Sequence, residues 1–308
     1  MTYCIKKDRC NLTLQFTITK ASPKDRKAVL DLSLNFPGDY LEETVDRWTC
    51  QKEGGLFLAW HDDTLVGCCA LSYPSPLEGW LHGMRVHPDY QGQGLAFKLN
   101  SYLINQAESS GATVIRLLTA PDNHGALKVS ERLGLKATGF HPEVIFRESL
   151  SKDKKLTGEK GSPLQLCSHS DLPAVNDLIF STPAIQTSGK LLFMPGYSYR
   201  SLTGDYLARA VNNNELYLIK YRDHLQGLLV TVKNKEDRHL VISYLQAPPE
   251  MLPSVTSMIP VWTEQGFLSF SFSLSREQHH TLHPSLKYLF GPYDYHHWQL
   301  MEKALSKK

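Results

Sequence analysis

Leu81-His82-Gly83-Met84-Arg85-Val86-His87-Pro88-Asp89-Tyr90-Gln91-Gly92-Gln93-Gly94-Leu95-Ala96 restricts the fold of this chain more than any other stretch. It starts as a strand and ends as a helix, since Leu95, Leu99, Leu103 and Ile104 recur at helical spacing. Between the two lie Gln91, Gly92, Gln93 and Gly94, small and polar. A glycine-rich turn entering a helix presents free backbone N–H groups at the positive end of the helix dipole, a site best suited to a pyrophosphate. Glycine is needed because a side chain would hold the backbone away from the phosphates. On its own the turn also fits an ordinary strand–helix connection. It is not the dinucleotide fingerprint, which needs a third glycine in another register, nor a Walker loop, since no Gly-Lys-Ser/Thr follows.

The segments around this turn alternate strand and helix. Leu14 to Lys20 reads as a first strand. Ser22-Pro23 opens a helix with a core face of Ala28, Val29 and Leu32. Tyr40 to Gln51 reads as a second helix. Leu56–Trp60 and Leu65–Tyr73 read as a hairpin around His61-Asp62-Asp63-Thr64, and Leu77–Val86 as the next strand. Thr113–Thr119 is a further strand, followed by a helix that ends near Gly134, a suitable left-handed cap. Val144–Glu148 completes the set. This order describes an α/β domain with helices on both sides of a sheet.

The length of 308 residues accommodates two domains, and 42% hydrophobic with 21% charged residues fits a folded globular chain. A formal net charge of +2 gives no reason to expect a nucleic acid or membrane partner. The first ten residues lack the apolar core of a secretory signal. The six cysteines, Cys4, Cys10, Cys50, Cys68, Cys69 and Cys167, show no disulfide-module spacing, so reduced thiols and a cytoplasmic location are expected. The pairs His279-His280 and His296-His297 lack metal-ligand spacing, and no metal is expected.

Ser151 to Pro163, rich in lysine with two glycines, reads as a linker between a domain at 14–150 and another at 164–308. The second half repeats features of the first. Ala21 to Leu32 lies over Cys167 to Leu178 without a gap, and Asp63-x-Leu65-x-Gly67 lies over Asp223-x-Leu225-x-Gly227. The alternative is chance similarity between two α/β segments. A repeat this long implies a duplicated domain, and a monomer with an internal pseudo-dimer is the expected assembly. Gln246-Ala247-Pro248-Pro249 stands where the second copy would need its glycine loop, so that copy is expected to be degenerate.

The pattern Gln91-x-x-Gly94-x-Ala96 resembles the acyl-CoA signature of the GNAT N-acetyltransferases. Asn123-x-x-Ala126-x-x-Val129-Ser130-Glu131-Arg132-Leu133-Gly134 resembles a late helix of the same superfamily. The resemblance implies a GNAT fold, a mixed, mostly antiparallel sheet flanked by helices, here in tandem. It implies acetyl-CoA as co-substrate. Met84 and Val86 would bond the pantetheine arm, beside Arg85. Gln91, Gly92, Gln93, Gly94, Leu95 and Ala96 would take the pyrophosphate, and Asn123 and Ala126 would complete the cofactor wall. Within the superfamily, Asp39-Tyr40-Leu41 with Trp48, Gly83-Met84-Arg85-Val86 and Tyr199-Arg200 resemble the histidine N-acetyltransferase group.

Transfer to an amine needs a base with a suitable pKa. His82, placed by the period of two on the face of Met84 and Val86, is the first candidate, since the arylalkylamine acetyltransferases also carry a histidine there. Its alternative is a partly exposed strand histidine. Glu78 is the second candidate, near the strand start, and its alternative is a solvated carboxylate. Ser130 occupies the position where the family usually has the tyrosine that protonates the leaving thiolate. The thiolate could leave unassisted, or Tyr197 or Tyr199 could assist it. Asp39, Tyr40 and Trp48 would flank the acceptor, with Asp39 available to a cationic amine, although Trp48 equally fits a helix core. Arg85 could bind an acceptor carboxylate or form a salt bridge on the far face. Arg200 could hold that carboxylate by a bidentate fork. The expected acceptor is a small amino acid, histidine first. Another small amine, a polyamine, a peptide N-terminus or a non-catalytic acyl-CoA sensor are the alternatives.

Overall fold

The computed structural model describes residues 15–138, 143–147, 164–181, 191–195, 198–235, 238–252, 254–255, 258–274, 276–290 and 295–306. The expected linker at 151–163, Cys4, Cys10, Glu148, Tyr197 and the side chain of His279 lie outside these residues. The chain divides into two compact units. The first takes the residues up to Tyr73 and 81–111, and the second takes 74–80 and the residues from Ala112 onward.

The first unit contains β1 (Thr17–Lys20), α1 (Arg26–Ser33), α2 (Leu41–Thr49), β2 (Gly55–His61), β3 (Thr64–Ser75, through Tyr73), the later part of β4 (Glu78–Val86) and α3 (Leu95–Ser109). Its strands lie in the order β1-β2-β3-β4. The Asp25 carboxylate accepts from both the Ser22 amide and the Ser22 hydroxyl at 2.8 Å, which ties down the turn leading into α1. The β2–β3 hairpin closes over Asp62-Asp63, with Asp62 at φ 51°, a left-handed conformation that aspartate tolerates.

Val29, Leu32, Leu41, Val45 and Trp48 from the two helices bury against Leu56, Leu58, Cys68 and Ala70 of the sheet. Full burial of each leucine stabilises by roughly 1.5–3 kcal/mol. β3 is buried continuously from Leu65 to Leu71, as a strand covered on both faces must be. At Gly67 a Cβ would lie 3.1 Å from Leu95 Cδ2 and 2.9 Å from the Arg85 carbonyl, so only glycine lets α3 sit this close.

The second unit begins with Glu78–Trp80 of β4 and continues through β5 (Val114–Thr119), α4 (His124–Arg132), β6 (Lys136–Ala137), β7 (Glu143–Arg147), β8 (Leu164–Leu166) and α5 (Leu172–Ser181). Then come β9 (Leu191–Met194), β10 (Ser198–Ser201), α6 (Gly204–Asn212), β11 (Leu216–Tyr221), β12 (His224–Asn234) and β13 (His239–Gln246). It ends with α7 (Ile259–Glu264), β14 (Ser269–Leu274), α8 (Arg276–Phe290), β15 (Tyr295–His297) and β16 (Gln299–Ala304). Among the described residues no helix is long and apolar enough to cross a membrane.

Two strands exchange places relative to the sequence reading. Val144–Glu148 was expected to finish the first domain's sheet. Its described part, β7, instead pairs antiparallel with β14 and β15, in a sheet ordered β15-β7-β14-β13-β12-β11-β8. The place beside β5 is taken by β16, from the far end of the chain, which pairs antiparallel with both β5 and β6. Local alternation identifies a strand but not its partner, because pairing is a long-range choice. Leu300 and Met301 of β16 are 0% and 1% exposed, so the exchange is sealed by core packing.

Candidate active site

The glycine turn of the first unit leaves its backbone open at the start of α3. After a short turn at Pro88–Tyr90, Gln91 Nε2 donates to the Val86 carbonyl at 3.1 Å and Gln93 Nε2 to the Asp89 carbonyl at 2.9 Å. The two glutamines therefore brace the loop and leave the glycines as its open surface. Gly92 and Gly94 have φ of +73° and +80°, and a Cβ on either would meet nothing within 4 Å. The conformation selects glycine, and the space beside it is free. Gly94 is the N-cap of α3 and supplies no side chain to the first-turn amides, so the positive helix end is left for a ligand. These residues fit the pyrophosphate of acetyl-CoA.

On β4, Gly83 adopts φ +64°, and a Cβ there would come within 2.8 Å of the Trp48 ring. This left-handed residue departs from regular strand geometry between His82 and Met84, so the period of two alone does not fix their faces. Met84 and Val86 are half-buried. The His82 ring meets Trp48 at 4.6 Å between centroids and 64° between planes. Its Nε2 is buried without a hydrogen-bond partner among the described residues. Burial, reinforced by the nearby Arg47 charge, pushes the imidazole down to about 3. His82 is therefore neutral at working pH, with one ring nitrogen unspent. Trp48, 1% exposed, belongs to the core and also walls this histidine.

Asp39 and Arg85 satisfy each other. Arg85 Nη2 and Nε donate to the two Asp39 oxygens at 2.6 and 3.0 Å, and Arg85 Nη1 donates to the Met84 carbonyl at 2.9 Å. Phe36 and Tyr40 stack on the guanidinium at 5.7 and 5.1 Å. The fork is the far-face salt bridge allowed for Arg85. It removes both Asp39 as the anchor of a cationic amine and Arg85 as the receptor of a carboxylate.

In the second unit Glu78 is not a solvated carboxylate. It is 5% exposed. It receives Arg116 Nη1 at 2.5 Å, the Ser201 hydroxyl at 2.6 Å, the Ser201 amide at 2.8 Å and the Ser75 hydroxyl at 2.6 Å. Arg116 Nε reaches Glu302 at 2.5 Å. Burial alone would raise the Glu78 carboxyl, but the hydrogen bonds from Ser201, Ser75 and Arg116 together hold it below the ordinary carboxylate value. A carboxylate so committed is a poor base, which corrects its candidacy. The sequence reading missed Arg116 and Ser201; an arginine inside the apolar run Val114–Thr119 was the available signal.

This network makes a prediction. Arg116→Ala leaves Glu78 charged and buried without its ion-pair partner and is expected to destabilise the fold by about 3–5 kcal/mol, read by denaturant unfolding. Because the folded pKa of Glu78 is depressed, its contribution is present above the unfolded carboxylate value. It is lost as pH falls through the folded one. Glu78→Gln should remove that part of the acid limb. An acid limb unchanged in this variant would contradict the assignment.

The remaining candidates of the second unit divide. Asn123 caps α4, its side-chain oxygen accepting from the Ala126 amide at 3.1 Å. Ser130 is 2% exposed and donates to the Ala126 carbonyl at 2.8 Å, a bond within its own helix. That places it as a helix-packing residue, not a proton donor. Tyr199 is 1% exposed, bonded to Ser273 Oγ at 2.6 Å and packed on Trp80 and Phe193. It is a core side chain, against its expected role at the acceptor. Arg200 is half-buried, with its guanidinium 4.8 Å from the centre of the Tyr206 ring. Among the described residues no group of three or more His, Cys, Asp or Glu is arranged to hold a metal.

With this geometry in hand, residues 27–135 match the profile of the Acetyltransferase (GNAT) family. The match covers well under half of the chain, over a region with a mixed α/β fold. The chain is 38% identical over 63 residues to L-amino acid N-acyltransferase MnaT of Escherichia coli, spanning 20% of this chain and 37% of that protein. The match thus covers well under half of the relative's length. Among solved structures, a GCN5-related N-acetyltransferase from Sphaerobacter thermophilus matches 94% of this chain and 95% of its own, with TM-score 0.56 and 13% identity. A putative acetyltransferase from Pyrococcus horikoshii matches 94% of this chain and 90% of its own, with TM-score 0.52 and 13% identity. These two likenesses concern the fold.

Proposed function

We propose that the protein is an acetyl-CoA-dependent N-acetyltransferase acting on the α-amine of a small amino acid, with histidine the first acceptor to try. The donor half rests on one observation, the open left-handed glycines at the uncapped start of α3. Bound acetyl-CoA supplies an activated acyl thioester. The protein's own part is to hold its phosphates on residues 91–96 and to orient the amine. The acceptor half is supported by the amino-acid N-acyltransferase relative and by the sequence resemblance at 39–41 and 48, in which Asp39 serves to hold Arg85 and Trp48 to wall His82.

His82 is the group proposed to receive the amine proton. Its unspent Nε2 has the right charge state but is a weak base while the site is free. His82→Ala is expected to lower kcat by roughly 10²–10⁴. The wild-type rate near neutral pH should rise with deprotonation of the acceptor amine, because the His82 limb lies near its own value of about 3. An unchanged kcat in the variant would move proton removal to bulk water.

The second half, 164–308, is proposed to be a degenerate copy of the first, 14–150. The series β8, β11, β12, β13, β14 repeats β1 to β5, β7 stands beside β14 as β16 stands beside β5, and β15 answers β6. The parallel pairs β4–β5 and β13–β14 correspond. So do the bulges at Ala59/Trp60 and Ile219/Lys220. Asp171 accepts from the Ser168 amide and hydroxyl as Asp25 does from Ser22. After β13 comes a proline turn instead of a glycine cradle. Isothermal titration should therefore give one acetyl-CoA site per chain, and two would sink this reading. The buried Ser130 hydroxyl favours a second possibility, an acyl-CoA sensor without turnover, which thiol release with an amine panel separates.

A further inference from the structure

Among the described residues of the second unit, Arg200 makes no salt bridge. It lies on β10 next to Ser201, whose amide and hydroxyl both bind Glu78. The nearby carboxylate is thus committed to Ser201, Ser75 and Arg116. Arg200 faces Tyr206 of α6 instead, 4.8 Å from its ring centre, and Arg209 approaches the same ring at 5.7 Å. Among the described residues its buried Nε has no hydrogen-bond partner and it makes no ion pair. A tyrosine face attracts a guanidinium but accepts no hydrogen bond from the Nε–Nη edge. Arginine is always charged, so it cannot escape this cost by losing a proton. The guanidinium thus has a second arginine beside it, while the Glu78 carboxylate that favours its charge is hydrogen-bonded to other groups.

We propose that Arg200 binds a carboxylate through its Nε–Nη edge, with Tyr206 as the platform that holds the guanidinium plane and Arg209 adding positive potential. The planar fork matches a carboxylate in a bidentate pair, which a lysine cannot reproduce. The carboxylate belongs either to the acceptor amino acid or to a separate small acid. The first source rests on the proposed function; the receptor itself does not.

The test uses the full chain and 3-(imidazol-4-yl)propionate, which has the ring and carboxylate of histidine but no amine to acetylate, with succinate alongside. Titration should show binding to the wild type that Arg200→Lys weakens by roughly 10–100-fold. The lysine variant keeps the charge and most of the packing, and Arg200→Ala should bind no more tightly. No carboxylate binding to the wild type, or equal binding to the lysine variant, would overturn the proposal. A raised KM for histidine with an unmoved KM for histamine in Arg200→Lys identifies the acceptor as the source. Unmoved KM values with Arg200-dependent binding identify a separate acid. Arg200-dependent binding without turnover of any amine would defeat the acetyltransferase reading and leave this one standing.

Discussion

Replacing Gly94 by aspartate is expected to weaken acetyl-CoA binding by roughly 100-fold or more while leaving the fold intact. Gly94 sits at φ +80° with nothing within 4 Å of a would-be Cβ. Aspartate is among the residues that tolerate a left-handed conformation, and it is favoured at helix starts. The backbone therefore has little reason to move. What changes is the field, because a carboxylate would occupy the positive end of α3 and bond the amides meant for a pyrophosphate. Gly94→Asn, of nearly the same shape without the charge, should lose much less. Titration of acetyl-CoA against the three proteins, with a thermal melt of each, checks this. Equal losses in both variants would mean that shape, not charge, governs the loop.

Removing β16 should have a larger effect, on the fold itself. A chain ending at Trp298 loses the strand that pairs with six residues of β5 and with both residues of β6. Leu300 and Met301 leave the core, each worth about 2–5 kcal/mol when a large buried side chain is cut away. Glu302 leaves Arg116. Against a typical stability of about 5–15 kcal/mol, the truncated chain is expected to be unfolded or insoluble. A soluble product melting within a few degrees of the wild type would show that β5 does not need its C-terminal neighbour.

How much of this the sequence disclosed depends on how local each feature is. The glycine loop, the β2–β3 hairpin and the turn after Ser22 are set by residues within a few positions, and pattern reading found them. The partner of β7 was not legible, because β14 and β15 lie more than a hundred residues away and any apolar strand could have served. Glu78 was misjudged for the same reason: its burial depends on Arg116 and Ser201, neither adjacent in sequence. At Gly83 alternation is not a sufficient guide, since a left-handed glycine departs from the regular pleat between His82 and Met84. Ser130 was noticed as a departure from the family pattern, but its hydrogen bond to Ala126 is what shows where the hydroxyl is spent.

The protein is proposed to transfer an acetyl group from acetyl-CoA to an amine. The most direct measurement is thiol release from acetyl-CoA by the full chain, with free L-histidine set against glycine, histamine and a polyamine, and with product mass read in parallel. Stoichiometric release of thiol and N-acetylated product is expected, with histidine the best acceptor and no release from Gly94→Asp at the same acetyl-CoA concentration. Tight acetyl-CoA binding with no thiol release on any amine would contradict it and leave a sensor in place of an enzyme.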